Sequence, residues 1–171
     1  MDMNAFYKMS YGLYVVSSRK GGRKNGQISN TVFQAAAEPP LVVISVSKEN
    51  LTHEYINESK VFSISILSRN TPMTFIGSFG FRSGRDMDKF KGIDYKTGMT
   101  GAPVVLENSV AYLEAKVVNA VDLGTHTLFI GEIVNAETLK EEESMTYSYY
   151  RDVKHGHAPK AAPTYAGKPG V

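Results

Sequence analysis

The sequence predicts a mainly β fold, an antiparallel barrel or sandwich with a few short helices. About six or seven segments are rich in β-branched and aromatic residues and are bounded by turn-forming residues. They follow one another through hairpin-length connections, which favours antiparallel pairing. No long crossover helices alternate with the strands, and no G-x-G-x-x-G motif follows a strand, so a Rossmann dinucleotide domain is not expected.

The composition indicates one globular domain. The chain has 171 residues, of which 42% are hydrophobic and 21% are charged, enough for a sizeable core. Its formal net charge of +2 gives no sign of binding to nucleic acid or to an anionic membrane. The sequence contains no cysteine, which excludes disulfides, a cysteine nucleophile and a rubredoxin-type or iron–sulfur centre within it. Redox chemistry would therefore need a bound cofactor.

The N-terminal stretch MDMNAFYKMSYGLYVVSS lacks a basic segment, and its apolar run is short. We therefore expect no signal peptide, no membrane-spanning segment and a cytoplasmic location. Within this stretch, Asn4 to Met9 predicts a short helix and Leu13 to Ser18 predicts the first strand. The basic, glycine-rich segment Arg19 to Lys24 predicts a solvated hairpin loop.

The segment Asn25 to Pro40, with the sequence NGQISNTVFQAAAEPP, carries an unusual run of polar side chains. It opens with Asn25-Gly26, which favours a tight turn, and it precedes Leu41 to Val46, which predicts a buried strand. Between them, four of the five residues from Gln27 to Thr31 are polar, where a core strand would carry fewer amides and a surface loop more charge. One interpretation is an edge strand with a solvated face, and the other is a surface that holds a flat polar heterocycle.

A helix is predicted after the buried strand. Asn50 is a good N-cap, and the apolar spacing favours a helix from Leu51 to Ser59. The free N–H groups and the partial positive charge at the start of such a helix can hold an anion. An ordinary cap that faces water is the commoner arrangement and is the alternative here.

Another strand and another helix follow. Val61 to Leu67 alternates apolar residues with serines, which predicts a half-buried strand. Thr71-Pro72 predicts an N-cap followed by proline at the first helical position, with the helix running toward Phe79.

A segment rich in glycine and arginine ends that helix. Gly80 to Asp86 interrupts the helical pattern, and Asp86 to Phe90 predicts another short helical turn. Arg85 and Ser83 beside Gly84 suit a phosphate, because glycine lets the backbone approach and arginine can donate two hydrogen bonds. Taken alone, the same pattern also fits an ordinary loop.

The C-terminal half predicts a long hairpin. Pro103 to Leu106 predicts a short strand. Val110 to Val121 and Thr127 to Ala136 predict two long strands, joined by the turn Asp122 to His126, so that a histidine lies at the hairpin tip. The final segment, His155 to Val171, is rich in proline and glycine and predicts an extended or partly disordered tail. The domain is therefore placed at residues 1–152 and the tail at residues 153–171.

Four stretches taken together resemble the flavin reductase-like family of FMN-binding split barrels. They are YGLYVVSS, NGQISNTVFQ with EPPLVVISVSKENLTHEYI, FGFRSGRDMDKF and GTHTLFIGEIVNAE. They occur in the family's order and cover the chain up to about Tyr150. The small ferric reductases of archaea and the rubredoxin-associated flavin reductase modules of anaerobes are similar in this way. The tail YYRDVKHGHAPKAAPTYAG resembles the linker that precedes a rubredoxin domain in fused relatives.

The resemblance implies an antiparallel Greek-key split β-barrel and roles for particular residues. Gln27 to Thr31 would run along the flavin ring, and His126 would be the catalytic residue near the nicotinamide. Thr125 stands where many members have aspartate, which leaves the orienting partner of this histidine open. The residues implied to bind FMN are Gln27, Ile28, Ser29, Asn30, Thr31, Ser45, Ser47, Asn50, Thr52, Ser83, Gly84, Arg85 and Lys89. Ser45, Ser47, Asn50 and Thr52 would lie near the ribityl chain and phosphate, and Ser83, Gly84, Arg85 and Lys89 would form a second phosphate arm.

The implied function is oxidation of NADH or NADPH by an FMN enzyme that passes electrons to free flavin, ferric complexes or a small redox protein such as rubredoxin. Hydride transfer needs the nicotinamide stacked on the flavin, which carries the electrons, so no catalytic triad is required. Family members are usually homodimers, and the apolar strand faces with Tyr147 to Tyr150 would supply the contact. Two alternatives stay open: a flavoredoxin-like carrier with FMN but no nicotinamide activity, and a cofactor-free binding barrel.

Overall fold

The computed structural model describes residues 2–165, so the last residues of the predicted tail, 166–171, lie outside the described residues. A short 3-10 helix, Met3–Lys8, leads into the main body of the fold. The strands are β1 (Tyr14–Lys20), β2 (Arg23–Ser29), β3 (Val32–Ala37), β4 (Pro40–Ser47), β5 (Val61–Leu67), β6 (Tyr95–Thr97), β7 (Pro103–Val105), β8 (Ser109–Asp122) and β9 (His126–Thr138). The helices are α1 (Leu51–Ser59), α2 (Met73–Gly80) and α3 (Tyr147–Asp152).

Seven of the strands form one antiparallel sheet that curls around its own core. Their order is β2-β1-β5-β8-β9-β4-β3, and β6 pairs with β7 in a small second sheet. Apolar side chains from β1, β4, β5, β8 and β9 meet in one cluster, which includes Val16, Ile44, Phe62, Ala115 and Phe129. Because strands along most of the sheet's width point into the same cluster, the sheet closes as a barrel does. The predicted mainly β, antiparallel fold is confirmed.

The two outer strands of this sheet are neighbours in sequence. β2 lies at one edge and β3 at the other, and Asn30 and Thr31 are the residues between them along the chain. Within the described residues, β2 pairs with β1 and β3 pairs with β4, so the two edges do not pair with each other. The polar segment Asn25 to Pro40 therefore contributes to both edges of the opening in the barrel.

The turn between β1 and β2 lies within the loop predicted at Arg19 to Lys24 but is shorter than that loop. It is made by Gly21 and Gly22, and Gly21 has a φ of 55°, which glycine adopts without the steric cost that a side chain would add. The residues on either side of it pair as strands, so the predicted loop Arg19 to Lys24 is wrong in extent. The predicted turn at Asn25-Gly26 is also wrong, because both residues lie within β2 and Asn25 is only 3% exposed.

The bounds of β5 are confirmed, but its predicted half-burial is wrong. Ser63 and Ser65 are fully buried because β7 covers their face of the strand. The hydroxyl of Ser63 donates to the carbonyl oxygen of Pro103 at 2.5 Å, and the backbone N–H of Val105 donates to the hydroxyl of Ser65 at 3.1 Å. The two serines, which the sequence pattern placed on a solvated face, therefore bind the second sheet through hydrogen bonds.

Helix α1 has the predicted bounds and the predicted N-cap, Asn50, although the Asn50 side chain makes no capping hydrogen bond. Helix α2 starts one residue later than predicted, with Pro72 at the N-cap, because the hydroxyl of Thr71 instead donates to the carbonyl oxygen of Ser68 at 2.6 Å. The predicted helical turn from Asp86 to Phe90 consists of turns without a helix. None of the helices in residues 2–165 is long and apolar enough to cross a membrane.

The tyrosines of α3 pack inside the chain. Tyr147 is 8% exposed and Tyr150 is 3% exposed, and both belong to a second core cluster with Leu13 and Phe79. The prediction that they supply a subunit contact is therefore wrong for these two residues. Exposed apolar side chains lie elsewhere, notably on the distal part of the β8–β9 hairpin.

Candidate functional site

A cavity lies between the edge strand β2, the start of α1 and the loop after α2. Its volume is about 340 Å³, near the lower end of the range found for small-molecule sites. Gln27 to Asn30 lines it, and so do Asn50 to Thr52 and, of the second segment predicted for a phosphate, Ser83 to Arg85, the residues Ser83 and Gly84. The fold thus brings three predicted stretches, distant in sequence, to one cavity.

Two polar atoms in the cavity wall have no hydrogen-bond partner among the described residues. They are Oε1 of Gln27 and the hydroxyl oxygen of Ser29, both buried. A buried polar atom without a partner costs about 1–3 kcal/mol, so such atoms favour a ligand that completes them. A flat heterocycle whose edge alternates donors and acceptors, such as the pyrimidine edge of a flavin, would do so. The residues present therefore fit a flavin.

Asn25 connects two parts of the cavity lining, the ring wall (Gln27 to Asn30) and the phosphate wall (Asn50 to Thr52 with Arg82 to Gly84). Its Nδ2 donates to the hydroxyl of Thr52 at 2.9 Å, and both residues are buried. Gly84 packs directly against the Asn25 side chain, since a Cβ at Gly84 would overlap Oδ1 of Asn25. Contacts among β2, α1 and the loop after α2 thereby fix the spacing of the two walls of the cavity. Sequence reasoning missed Asn25 as a site residue.

A signal for Asn25 was present in the sequence. Asn25, Gln27 and Ser29 alternate with a period of two, which puts their side chains on one face of a strand. The preference of Asn-Gly for tight turns led to the prediction of a turn here instead of a strand. Once β2 is known to begin at Arg23, the three polar residues form a single row that lines the cavity.

Lys89 lies in the cavity wall, beneath β2. It is 6% exposed, and its Nζ donates to the carbonyl oxygens of Gly26 at 3.0 Å and Phe79 at 2.9 Å. Burial lowers the pKa of Lys89 to about 8, because the charged form loses hydration. Two of its three donors are used by these carbonyls. Its assignment to the phosphate arm stays a prediction, and its charge makes this wall favourable for an anion.

Two arginines lie near the phosphate wall, and the structure separates them. Arg82 lines the cavity, although sequence reasoning gave it no role. Arg85 lies outside the lining, with Nη2 3.4 Å from Oε2 of Glu54 in an exposed ion pair. The predicted contact of Arg85 with a phosphate would therefore require it to leave Glu54.

Three other predicted flavin ligands also lie outside the lining. The hydroxyl of Thr31 donates to Oδ1 of Asn30 at 3.2 Å, so Thr31 contacts a residue that does line the cavity. Ser45 and Ser47 are buried in β4, and the hydroxyl of Ser47 accepts the backbone N–H of Glu49 at 3.3 Å. Ser47 thereby helps to shape the turn that leads into α1.

His126 is held in one tautomer by two neighbours. Its Nε2 lies 3.2 Å from the carbonyl oxygen of Ala161, which can only accept, so Nε2 carries the hydrogen. Its Nδ1 lies 2.8 Å from the hydroxyl of Thr125, which then donates to it. Thr125 is thus the orienting partner that the sequence left open. His126 does not line the cavity but contacts the segment that covers it.

That segment is the C-terminal strap, defined here as residues 156–165. The hydroxyl of Tyr150 donates to the carbonyl oxygen of His157 at 3.1 Å, and the ring of His157 lies 4.8 Å from that of Phe81. Nδ2 of Asn30 donates to the hydroxyl of Thr164 at 2.7 Å. Ala158, Pro159, Ala161, Ala162 and Pro163 line the cavity between these contacts. This part of the predicted tail is therefore packed against the domain.

The antiparallel split barrel and the flavin-compatible cavity at its open edge are those of a flavin-dependent oxidoreductase. Residues 6–157 match the family model described as the flavin reductase like domain, and the chain belongs to this family. The family, the split-barrel fold and the flavin reductase type of activity that the sequence predicted are confirmed. Use of a flavin and a nicotinamide follows from the same membership.

Three known proteins show how close the likeness is. A ferric-chelate reductase (NAD(P)H) of Archaeoglobus fulgidus is 52% identical over 165 residues, which cover 96% of this chain and 98% of that protein. The high molecular weight rubredoxin of Moorella thermoacetica is 49% identical over 165 residues, covering 96% of this chain and 72% of that protein. The solved structure of the NADH:FAD oxidoreductase SgcE6 of Streptomyces globisporus, in complex with NAD and FAD fragments, has a TM-score of 0.74 at 27% identity and covers 83% of each chain.

Proposed function

We propose that the chain is an FMN-dependent NAD(P)H oxidoreductase that passes electrons from a nicotinamide to free flavin, ferric complexes or a small redox protein. The observation that carries the cofactor assignment is the pairing, in one cavity, of unpartnered polar atoms with a wall suited to a phosphate. A volume of about 340 Å³ suits a mononucleotide better than a dinucleotide, which favours FMN over FAD.

The residues of the chain would hold and orient the cofactor. Gln27 and Ser29 would bind the edge of the ring through their unpartnered atoms. Thr52 and the backbone at Gly84 would bind the phosphate beside the N-terminus of α1. When bound, the flavin supplies the hydride acceptor and the electron store. The chain would contribute binding, orientation and exclusion of water, and His126 would present its Nε2–H donor near the nicotinamide.

An absorbance spectrum followed by anaerobic titration tests this function. The purified protein, after addition of FMN, is expected to show bound-flavin absorbance that bleaches on addition of NADH or NADPH. A flavoredoxin-like carrier would show the absorbance without the bleaching. A cofactor-free barrel would show no bound flavin at all, and either result would contradict the proposal.

The name of one relative supports a small iron–sulfur protein as the electron acceptor. The matched relative from Moorella thermoacetica is named a rubredoxin. The match covers 72% of that protein and leaves the other 28% uncovered. We therefore propose that reduced flavin here passes electrons to a rubredoxin-type partner. Added rubredoxin is then expected to be reduced by NADH faster when the protein is present. An equal rate with and without the protein would argue against this acceptor.

We also propose a homodimer, supported by exposed apolar side chains. Phe33 on β3 is 52% exposed, and Val118, Val121 and Leu123 on the β8–β9 hairpin are 53%, 41% and 54% exposed. Exposed apolar groups of this kind are typical of subunit contacts. Light scattering is expected to give twice the chain mass of 18.8 kDa, and a monomer at working concentration would exclude the assignment.

Replacing His126 by alanine is expected to slow flavin reduction by NADH about tenfold, the effect of losing roughly one hydrogen bond to the donor. FMN affinity should change less, because His126 lies outside the cavity lining. Stopped-flow reduction of FMN-saturated protein measures the rate. Thr125→Val keeps the ring but removes its orienting hydroxyl, so its effect should be smaller. A variant that loses FMN yet reduces normally when saturated would show that the role is misassigned.

A further inference from the structure

The C-terminal strap holds two of the residues that the proposed function uses. Asn30, beside the proposed ring site, donates to the hydroxyl of Thr164 at 2.7 Å. Nε2 of His126, the proposed nicotinamide contact, is hydrogen-bonded to the carbonyl oxygen of Ala161 at 3.2 Å. The strap therefore takes up hydrogen-bonding groups of one residue that lines the cavity and of one that lies outside its lining. A nicotinamide could not use His126 while Ala161 occupies its N–H.

The strap narrows the cavity beneath it. Its volume of about 340 Å³ is near the lower limit for a site that holds a single small molecule. Ala158, Pro159 and Ala161 form part of its wall, so the strap sets this limit. Hydride transfer requires a nicotinamide stacked against the flavin ring, which means two ring systems in one place. With the strap in the observed position, Ala158, Pro159 and Ala161 border the space that the second ring would need.

The contacts of the strap are of a kind that can open. Its residues are mostly small or proline, and Lys160 and Pro163 are exposed. None of the ion pairs in residues 2–165 involves the strap. Proline-rich segments are stiff and tend to move as units. Segments with few buried apolar contacts open more readily than the core, so local release does not require unfolding of the barrel.

Gly156 marks the point where the strap leaves the domain. It is buried, and a Cβ at this position would overlap the ring of Tyr150. Tyr150 itself is fixed in the core cluster beneath α3. The chain can therefore pass this point only because residue 156 has no side chain, and the strap beyond it is directed across the cavity.

We propose that the strap is a gate over the open face of the flavin, which must release His126 and Asn30 before a nicotinamide can stack and which otherwise closes the site to solvent. The nature of the two ligands rests on the proposed function, whereas the opening of the strap does not. Access of the electron donor is then controlled by how often the strap opens. Loosening the strap should raise the rate at which donors reach the site.

A single introduced thiol reports the opening without any cofactor. The chain has no cysteine, so Ala162→Cys places one thiol on the cavity side of the strap. Ala162 is half-buried, so the reaction of the new thiol with Ellman's reagent in the flavin-free protein is expected to speed up as the strap opens. Adding Thr164→Val, which removes the hydroxyl that contacts both Asn30 and Tyr147, should speed labelling about fivefold or more, the shift expected from losing at least one hydrogen bond. Thr138→Val, at the exposed end of β9, is the matched control and should leave labelling unchanged.

Gly156→Ala gives a second, stronger loosening. Its methyl group would push the strap off the Tyr150 ring, and labelling at position 162 should rise by more than in Thr164→Val. Gly77→Ala is its control, because a Cβ at Gly77 meets nothing within 4 Å. If Gly156→Ala does not fold, Thr164→Val alone carries the test. Labelling that is equally fast in the parent and in both loosened variants would overturn the gate.

Stopped-flow reduction then links the gate to the reaction. In FMN-loaded protein, the second-order rate constant for reduction by NADH should rise severalfold in Thr164→Val, in step with labelling. A lower rate constant with faster labelling would mean that the strap helps to bind the donor, which also overturns the proposal. Should NADH fail to bleach the flavin in any variant, while labelling responds as expected, the gate stands and the proposed function fails.

Discussion

Replacing Glu114 by alanine is expected to lower the free energy of unfolding by about 3–5 kcal/mol, because its four hydrogen-bond donors lose their acceptor. Glu114 lies on β8 and is fully buried. Its carboxylate accepts the backbone N–H groups of Met99 at 3.1 Å and Thr100 at 3.0 Å, the Thr100 hydroxyl at 2.9 Å and Nδ2 of Asn135 at 3.0 Å. Alanine would leave these donors without an acceptor.

Urea denaturation measures the loss, and Glu132→Ala is the matched control. Glu132 is an exposed glutamate on the neighbouring strand β9, so its removal should change stability by no more than about 0.5 kcal/mol. Glu114→Gln keeps the size of the side chain but turns an NH₂ group toward some of the donors, and it should fall between the two. A loss below about 1 kcal/mol for Glu114→Ala would show that the network is dispensable.

The same residue predicts a pH dependence. Burial raises the pKa of Glu114, but the hydrogen bonds from Asn135, Thr100 and Met99 outweigh burial and hold the pKa below its ordinary value of 4.5. The folded state therefore binds this proton more weakly than the unfolded state does. The stabilisation is complete well above pH 4.5 and is lost as the pH falls through and below that value. Acid titration of stability should consequently be shallower in Glu114→Gln than in the parent.

Removing an arginine from the phosphate wall is expected to weaken FMN binding about tenfold or more, because a charge-assisted hydrogen bond contributes roughly 1.5–3 kcal/mol. Arg82 lines the cavity, whereas Arg85 is paired with Glu54 outside it. We therefore expect the larger loss from Arg82→Ala. Riboflavin lacks the phosphate, so its affinity should hardly change. Fluorescence titration with both ligands gives the FMN-to-riboflavin preference directly.

Arg85→Ala is the matched comparison, since it removes the same group three residues away. A larger loss in Arg85→Ala than in Arg82→Ala would support the assignment made from the sequence and would mean that Arg85 leaves Glu54 for the phosphate. Equal weakening of FMN and riboflavin would indicate general damage to the fold. If both variants keep the parent preference for FMN, these loops do not bind a phosphate.

Local patterns predicted the elements whose signals are local. The strand Leu41 to Val46 and the helix Leu51 to Ser59 were predicted within one or two residues, because an apolar run and an N-cap are contained in the segments themselves. The burial of Ser63 and Ser65 was not predictable in this way. It depends on β7, which lies about 40 residues further along the chain and covers their face of β5.

The site was predicted in outline and missed in detail for a similar reason. Gln27 to Asn30 and Gly84 reach the cavity as expected. Asn25 was assigned to a turn because the local preference of Asn-Gly is strong, but the hydrogen bond to Thr52 and strand pairing outweigh that preference. The contact between His126 and the strap uses a backbone carbonyl, which no side-chain pattern can indicate.

Because the cavity lies at the unpaired edges of the barrel, a ligand bound there would stabilise the folded state. Only two residues, Asn30 and Thr31, join the outer strands, and the ring wall lies on β2 immediately before them. A ligand bound there adds contacts where the sheet has none of its own. Binding to the folded chain alone stabilises it by about 2.7 kcal/mol when the free ligand is at 100 times its Kd. If the cavity holds the proposed FMN, a shortage of flavin would lower the stability of the protein as well as its activity.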